Sequence, residues 1–347
     1  MPENLPVTHA DVLAALPRVR AVLKRTPLYE WPALSQLLGC RFFLKHENHQ
    51  PVGAFKVRGG INLVAAAVAE AASVGAEAGS FRHGMVGAEA GSFRHGILGC
   101  STGNHGQSLA FACRRFGVKC TIVVPEGNNP DKNRAIRLLG AELIEHGRDF
   151  DAAREFLERE LVPRGGRYVH SANEPLLIAG VGTMAVEIFD DLPEPDAILV
   201  PIGLGSGVCG TCLVVKSVRP ETQVIGVQAE GADAVVRSWR TGTLQSNESV
   251  NTFAEGMATR VPAEMTLAIM RSLMDDALLV SDDELRQACF TLLKHTHNLA
   301  EGAGAAPLAA AYRYRDRFAG KTVVGVLSGG NLDLAELPRI LAAGEWK

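Results

Sequence analysis

The sequence predicts an α/β protein whose sheets are mainly parallel and covered by helices on both faces. Three observations carry that prediction. Short unbroken apolar runs ("GILGCS", "CTIVVP", "DAILVPIG", "TQVIGVQA", "TVVGVLSGG") alternate with helical stretches such as "HGQSLAFACRRFG" and "DKNRAIRLLG". Strands buried on both faces read as such runs, and the helices between them supply the parallel crossovers. The 36 glycines against 6% aromatic residues indicate many tight turns and close backbone approaches. A chain of 347 residues is long enough for two ordinary domains or one large α/β domain.

Taken in order, the first element is a helix over "THADVLAALPRVRAVL". Thr8 and Asp11 form a capping pair, and Val12, Leu16, Val19 and Val22 recur at helical spacing. "RFFLKHE" then reads as a short strand. "VGAEAGSFRHGM", residues 74–85, is followed by "VGAEAGSFRHGI", residues 86–97, a tandem duplication in which only the last residue differs. Solenoids need about three units. The duplication is therefore expected to be a local insertion, either a longer surface loop or a helix extension. "AELIEHG" and the later apolar runs complete the strands.

Composition excludes several function classes. Hydrophobic residues make up 47%, charged ones 21%, and the net charge is −3, with no bias toward nucleic acid or anionic membrane. "MPENLPVTHADVL" lacks a basic start and an apolar core, and no run approaches the roughly 18 apolar residues of a membrane helix. Seven scattered cysteines suggest reduced thiols and a cytoplasmic setting. Cys209 and Cys212 in "CGTC" have redox or half-zinc spacing, but with no second pair they read as small core thiols. His295 and His297 in "KHTHN" lack a supporting carboxylate pattern and read as helix-surface residues.

The chemistry lies in glycine-rich stretches beside strands. "PIGLGSGVCG", residues 201–210, follows "DAILV" and leads into a helix, so its amides suit a phosphate or simply form a turn. It lacks the spaced acidic residue of a dinucleotide site. "CSTGNHGQ", residues 100–107, offers the Ser101 and Thr102 hydroxyls, the Asn104 amide and helix-start amides for a carboxylate, unless it is only a cap. "VLSGGNLD" ends a strand at Ser328, by itself no more than a turn. "GAFKVRGG", residues 53–60, holds Lys56 between Phe55 and Val57 among glycines, where lysine stems seldom sit. Together and in this order, these are the parts of a pyridoxal phosphate site. Lys56 is kept dry so that its amine is neutral and nucleophilic, ready to form a Schiff base.

The chain resembles the fold-type II pyridoxal phosphate enzymes (tryptophan synthase β-like), specifically threonine/serine dehydratases, which are ammonia-lyases, and serine racemases. The resemblance runs from "RTPLYEWPALS" to "LSGGNLD" and includes "LKHENHQPVGAFKVRGG", "STGNHGQSLAFA", "ANEPLLIAGVGTMAVEI" and "LAEGAGAAPLAAA". It implies two domains, each an open, mainly parallel sheet flanked by helices. The large cofactor domain spans 1–58 and 174–347, and the small domain 59–173 contains the duplication at 74–97. A homodimer, a small amino-acid substrate, and neither nucleic-acid nor membrane partner are implied.

By the same resemblance, Lys56, with Phe55 beside it, carries the cofactor and moves the substrate α-proton. Asn104 bonds the pyridine 3-hydroxyl, and Ser101, Thr102, Gly103, Asn104 and His105 form the substrate-carboxylate cradle. Gly203, Leu204, Gly205, Ser206 and Gly207 hold the phosphate. This loop departs from the family's commoner run of four glycines, with Leu204 donating through its backbone. Glu301 lies near the cofactor, and Ser328 faces the pyridine nitrogen. A serine bonds a neutral nitrogen, which makes a weaker electron sink suited to β-elimination.

Further expectations follow. The chain ends about fourteen residues after "LSGGNLD", which favours a catabolic enzyme without a regulatory domain. The racemase metal site begins at the position of Glu230, but its later aspartate is Val236 here. No metal is therefore expected, with Glu230 the remaining candidate and Asp233 an alternative oxygen donor. Thr102 stands where serine racemases carry the serine serving the substrate face opposite the lysine, and is the second catalytic candidate. The leading activity is dehydration and deamination of L-threonine or L-serine. The alternatives are dehydration of 3-hydroxyaspartate or phenylserine, a serine racemase, and a non-catalytic binding protein.

Overall fold

The computed structural model describes residues 5–73 and 96–346. Among these described residues, ten strands build two sheets. β1 (Leu28–Glu30), β2 (Arg41–His46), β7 (Ala197–Pro201), β8 (Gln223–Ala229), β9 (Asp276–Val280) and β10 (Thr322–Leu327) form a six-stranded sheet, ordered β1-β2-β10-β7-β8-β9. β3 (Ile97–Cys100), β4 (Cys120–Val124), β5 (Glu142–Glu145) and β6 (Arg167–Tyr168) form a four-stranded sheet, ordered β5-β4-β3-β6. All pairings are parallel except β1 with β2. β3, β4 and β7 are buried at every position, as unbroken apolar runs require.

The first helix, His9–Arg20, starts with the reciprocal Thr8–Asp11 capping box, and Val12 and Val19 enter the core. Of the duplicated stretch, residues 74–95 lie outside the described residues. Its last residue, Ile97, opens β3 rather than lying in a peripheral loop, and Gly96 leads into it. Gly96 takes φ +81, where a Cβ would stand 2.1 Å from the Lys119 carbonyl oxygen, and Ile97 is fully buried and pairs with Cys120 and Arg167. The one position that differs between the copies, Met85 against Ile97, thus ends the second copy on a β-branched core residue.

Where the end of β2 meets two helices, four charges leave water together. Arg58, in the first turn of helix Lys56–Ser73, grips Glu47 with Nε and Nη2, both at 2.8 Å. It grips Glu187, on helix Pro175–Asp191, with Nη1 at 2.8 Å and Nη2 at 2.7 Å. Lys45 donates to Glu187 at 2.7 Å and to the Thr26 carbonyl at 2.8 Å, while the Thr26 hydroxyl donates to Glu47 at 2.6 Å. Lys45, Glu47, Arg58 and Glu187 are all at most 1% exposed. Burial pushes the Glu187 carboxyl upward, but the hydrogen bonds and charge of Arg58 and Lys45 hold it below the ordinary range. Helices Lys56–Ser73 and Pro175–Asp191 cross at glycines, since a Cβ on Gly180 would lie 2.6 Å from the Arg58 carbonyl oxygen.

Replacing Glu187 by glutamine is expected to cost about 3–5 kcal/mol, because Lys45 and Arg58 keep buried charges without their partner. The wild-type contribution is complete above about pH 4.3, the unfolded carboxyl value, and is lost as pH falls through the lower folded value. Urea unfolding between pH 3 and 7 checks both. Equal midpoints for wild type and Glu187→Gln at pH 7 would show that the network contributes no stability.

Candidate active site

The carboxyl ends of β3, β7 and β10 face the start of the lysine helix. Lys56 is the first residue of that helix, and its Nζ donates to Ser206 Oγ at 2.9 Å and to the Ser171 carbonyl at 3.3 Å. Ser108 Oγ caps the Lys56 carbonyl at 2.7 Å, and the Phe55 ring lies 5.4 Å from the ammonium. The residue is half-buried, and the protein packed around its amine lowers its pKa to about 8 by desolvation. The Phe55 amide donates to the Ser328 carbonyl at 2.9 Å, and Ala54 bridges Gly329, tying the lysine loop to the end of β10. Ser328 is 3% exposed.

The loop after β7 opens helix Ser206–Val218, whose first turn holds no acidic residue. Gly205 caps it at φ +100, and a Cβ on Gly203 would stand 2.3 Å from the Gly256 carbonyl oxygen. The Leu204 carbonyl accepts from the Thr266 hydroxyl, and Gly207 packs on the Phe55 ring. A Cβ is excluded at Gly203 and crowded at Gly207, and a helix start of this kind, with free amides and no acidic residue, favours an anion. The Lys56 amine lies one hydrogen bond from that end. A small molecule with an aldehyde at one end and a phosphate at the other would reach both, so these residues fit pyridoxal phosphate.

The loop after β3 starts helix Asn104–Phe116. Ser101 Oγ accepts from the Gly103 amide at 3.2 Å, and the Thr102 carbonyl accepts from Asn128 Nδ2 at 3.4 Å. His105 is buried, and its ring meets the Val169 carbonyl at 3.2 Å. Desolvation lowers its pKa to about 3, so the ring stays neutral. Asn104 Nδ2 donates to Glu301 Oε1 at 2.8 Å, while its Oδ1 accepts from Asn331 Nδ2 at 2.7 Å. Burial raises Glu301 to about 7, against the pull of Lys132 and of the bond from Asn104.

Sequence reasoning missed Asn331, Lys132, Glu255 and Ser171. Asn331 stood inside "SGGNLD" without a role, and the others pair only across the fold. Glu230 bonds Arg313 at 2.6 Å, and Asp233 bonds Arg237 at 3.0 Å. Among the described residues no group of three or more His, Cys, Asp or Glu stands ready for a metal. Cys209 and Cys212 are buried free thiols. His295 meets Glu345, and His297 ends its helix at φ +56.

Residues 19–329 match the pyridoxal-phosphate dependent enzyme family. The chain belongs to that family. This pyridoxal-phosphate enzyme is 34% identical over 338 residues to an L-threonine ammonia-lyase of Thermotoga maritima, covering 97% of this chain and 79% of that protein. It is 32% identical over 331 residues to a beta-hydroxyaspartate dehydratase of Paracoccus denitrificans, covering 95% and 98%. A solved pyridoxal 5'-phosphate-dependent aspartate racemase superposes with TM-score 0.85 and 29% identity, covering 98% of this chain and all of that one. The enzyme has the fold-type II architecture.

Glu301 generates a pH prediction. Its folded pKa lies above the unfolded one, so its contribution is intact below about pH 4.5 and is lost as pH rises through about 7. Wild type is expected to lose up to roughly 3 kcal/mol across that window. Glu301→Gln, which still accepts from Asn104, should flatten the slope. Identical pH–stability curves for the two proteins would remove Glu301 as the titrating group.

Proposed function

We propose that this enzyme is an ammonia-lyase acting on L-threonine, L-serine or a related 3-hydroxy amino acid. The α-hydrogen and β-hydroxyl leave as water, and water returning at the C–N bond frees ammonia and a 2-oxo acid. The observation that carries this reading is the Lys56 amine, desolvated and one hydrogen bond from the glycine-loop helix start. The threonine ammonia-lyase and hydroxyaspartate dehydratase relatives support it.

Pyridoxal phosphate bound at Lys56 supplies the electron withdrawal that acidifies the substrate α-carbon. Lys56 then moves the α-proton; a pKa of about 8 leaves a useful share of neutral amine near neutral pH. Gly203 to Gly207 hold the phosphate, Asn104 the ring hydroxyl, and Ser328 the ring nitrogen. Ser101 to His105 hold the substrate carboxylate through amides and hydroxyls. Glu301 and Asn331 hold the Asn104 amide in one orientation. Thr102 keeps a hydroxyl at the opposite face, which favours racemisation as the second reading. Its β-branch limits χ1, and dehydration is expected to dominate.

The domain division 1–58 with 174–347 and 59–173, a cytoplasmic setting and a homodimer complete the proposal. Among the described residues, no helix is long and apolar enough to cross a membrane. Static light scattering should return twice the 37.0 kDa chain mass, and a monomer would refute the dimer.

A panel of 3-hydroxy amino acids, assayed for 2-oxo acid release with chiral analysis of residual serine, tests the activity. Lys56→Ala should lose tightly held cofactor colour and drop turnover by several orders of magnitude; near-normal activity would refute its role. Wild type should yield little D-serine. Rapid D-serine formation that disappears in Thr102→Ala would make racemisation the better reading.

A further inference from the structure

Lys132 occupies an unusual position for a lysine. It lies early in helix Pro130–Leu138, and its stem runs past Gly103, with Cδ 3.8 Å from where a Gly103 Cβ would stand. Its side chain is only 11% exposed, and its ammonium is paired with Glu255, which is 46% exposed. The pair spans from the helix after β4 to the short turn Glu255–Met257 before β9. With Glu301, Asn331 and Asp333 it lines an open cleft next to Asn104. The cleft therefore holds three carboxyl groups and one ammonium, and that ammonium is already neutralised.

We propose that Glu255 sets the charge preference of the substrate cleft by engaging Lys132, so that neutral 3-hydroxy amino acids enter and those with a second carboxylate are turned away. The inference rests on the reading of the Ser101–His105 loop, which the Lys132 stem flanks at Gly103, as the cradle of a 3-hydroxy amino acid. A second carboxylate arriving beside Lys132 meets the carboxylates of Glu255 and Asp333, and among the described residues lining the cleft the one ammonium is already paired. Discrimination then comes from a repulsive element as much as from an attractive one. Removing the Glu255 charge releases a nearly buried ammonium next to the loop proposed to hold the substrate. A buried ammonium without its partner is a strong site for an anion.

The test uses holoenzyme and two ligands without an α-hydrogen, α-methylserine and α-methylaspartate, so that calorimetry reads binding without turnover. Wild type is expected to prefer α-methylserine. Glu255→Gln should tighten α-methylaspartate on the order of tenfold, with α-methylserine changed less than about twofold. Adding Lys132→Gln should abolish the gain. Equal affinity for the two ligands in wild type would overturn the proposal. So would parallel tightening of both in Glu255→Gln, or a gain that survives the loss of Lys132. Absence of 2-oxo acid from every 3-hydroxy amino acid would instead overturn the activity reading, while the calorimetric charge preference stands or falls by itself.

Discussion

Arg58 is held between Glu47 and Glu187, with Lys45 closing the set, and this buried arrangement of two cations and two anions governs the rest of the site. Taking four charges out of water carries a large desolvation penalty, offset only when each oxygen and each N–H finds its partner in good geometry. Here the partners come from β2, the turn after it, the lysine helix and helix Pro175–Asp191. A shift of any one element would strand a charge. Lys56 lies two residues before Arg58, so the amine proposed to carry the cofactor inherits its position from this network.

Burial acts on the two central titratable groups in opposite senses for one reason. It disfavours charge, so the Lys56 pKa falls to about 8 while that of Glu301 rises to about 7. Both groups come close to neutrality at working pH, one as a base able to take a proton and the other as a carboxyl able to share one. Glu301 is joined through Asn104 to Asn331, whose amide donates to Asn104 Oδ1 and to the Val52 carbonyl. The Asn104 amide thus has one favoured orientation.

Local signals were legible where local physics decides structure. The Thr8–Asp11 capping box is a contact within one turn, and the buried parallel strands are apolar runs that no other setting accommodates. β1 has three residues and β6 two, too short to show a period, and β9 is read through "DALLV" only once β8 offers it an edge. Lys56 and the glycine loop stood out because close backbone approach and a desolvated amine restrict residue type at the position itself, whereas Asn104 and Ser328 took their expected roles only from the family resemblance.

The sequence by itself therefore determined the fold class, the strand ends on which the site is built, and the residues whose backbone or burial is specialised. Only the tertiary structure decided that positions 45, 47, 58 and 187 share one charge network. It also decided that Asn331 meets Asn104, that Lys132 is claimed by Glu255, and that the His105 ring turns to Val169. Periodicity and turn chemistry act over a few residues and can be read along the chain. Charge pairing and side-chain direction depend on distances in space between residues far apart in sequence, and those exist only once the chain has folded.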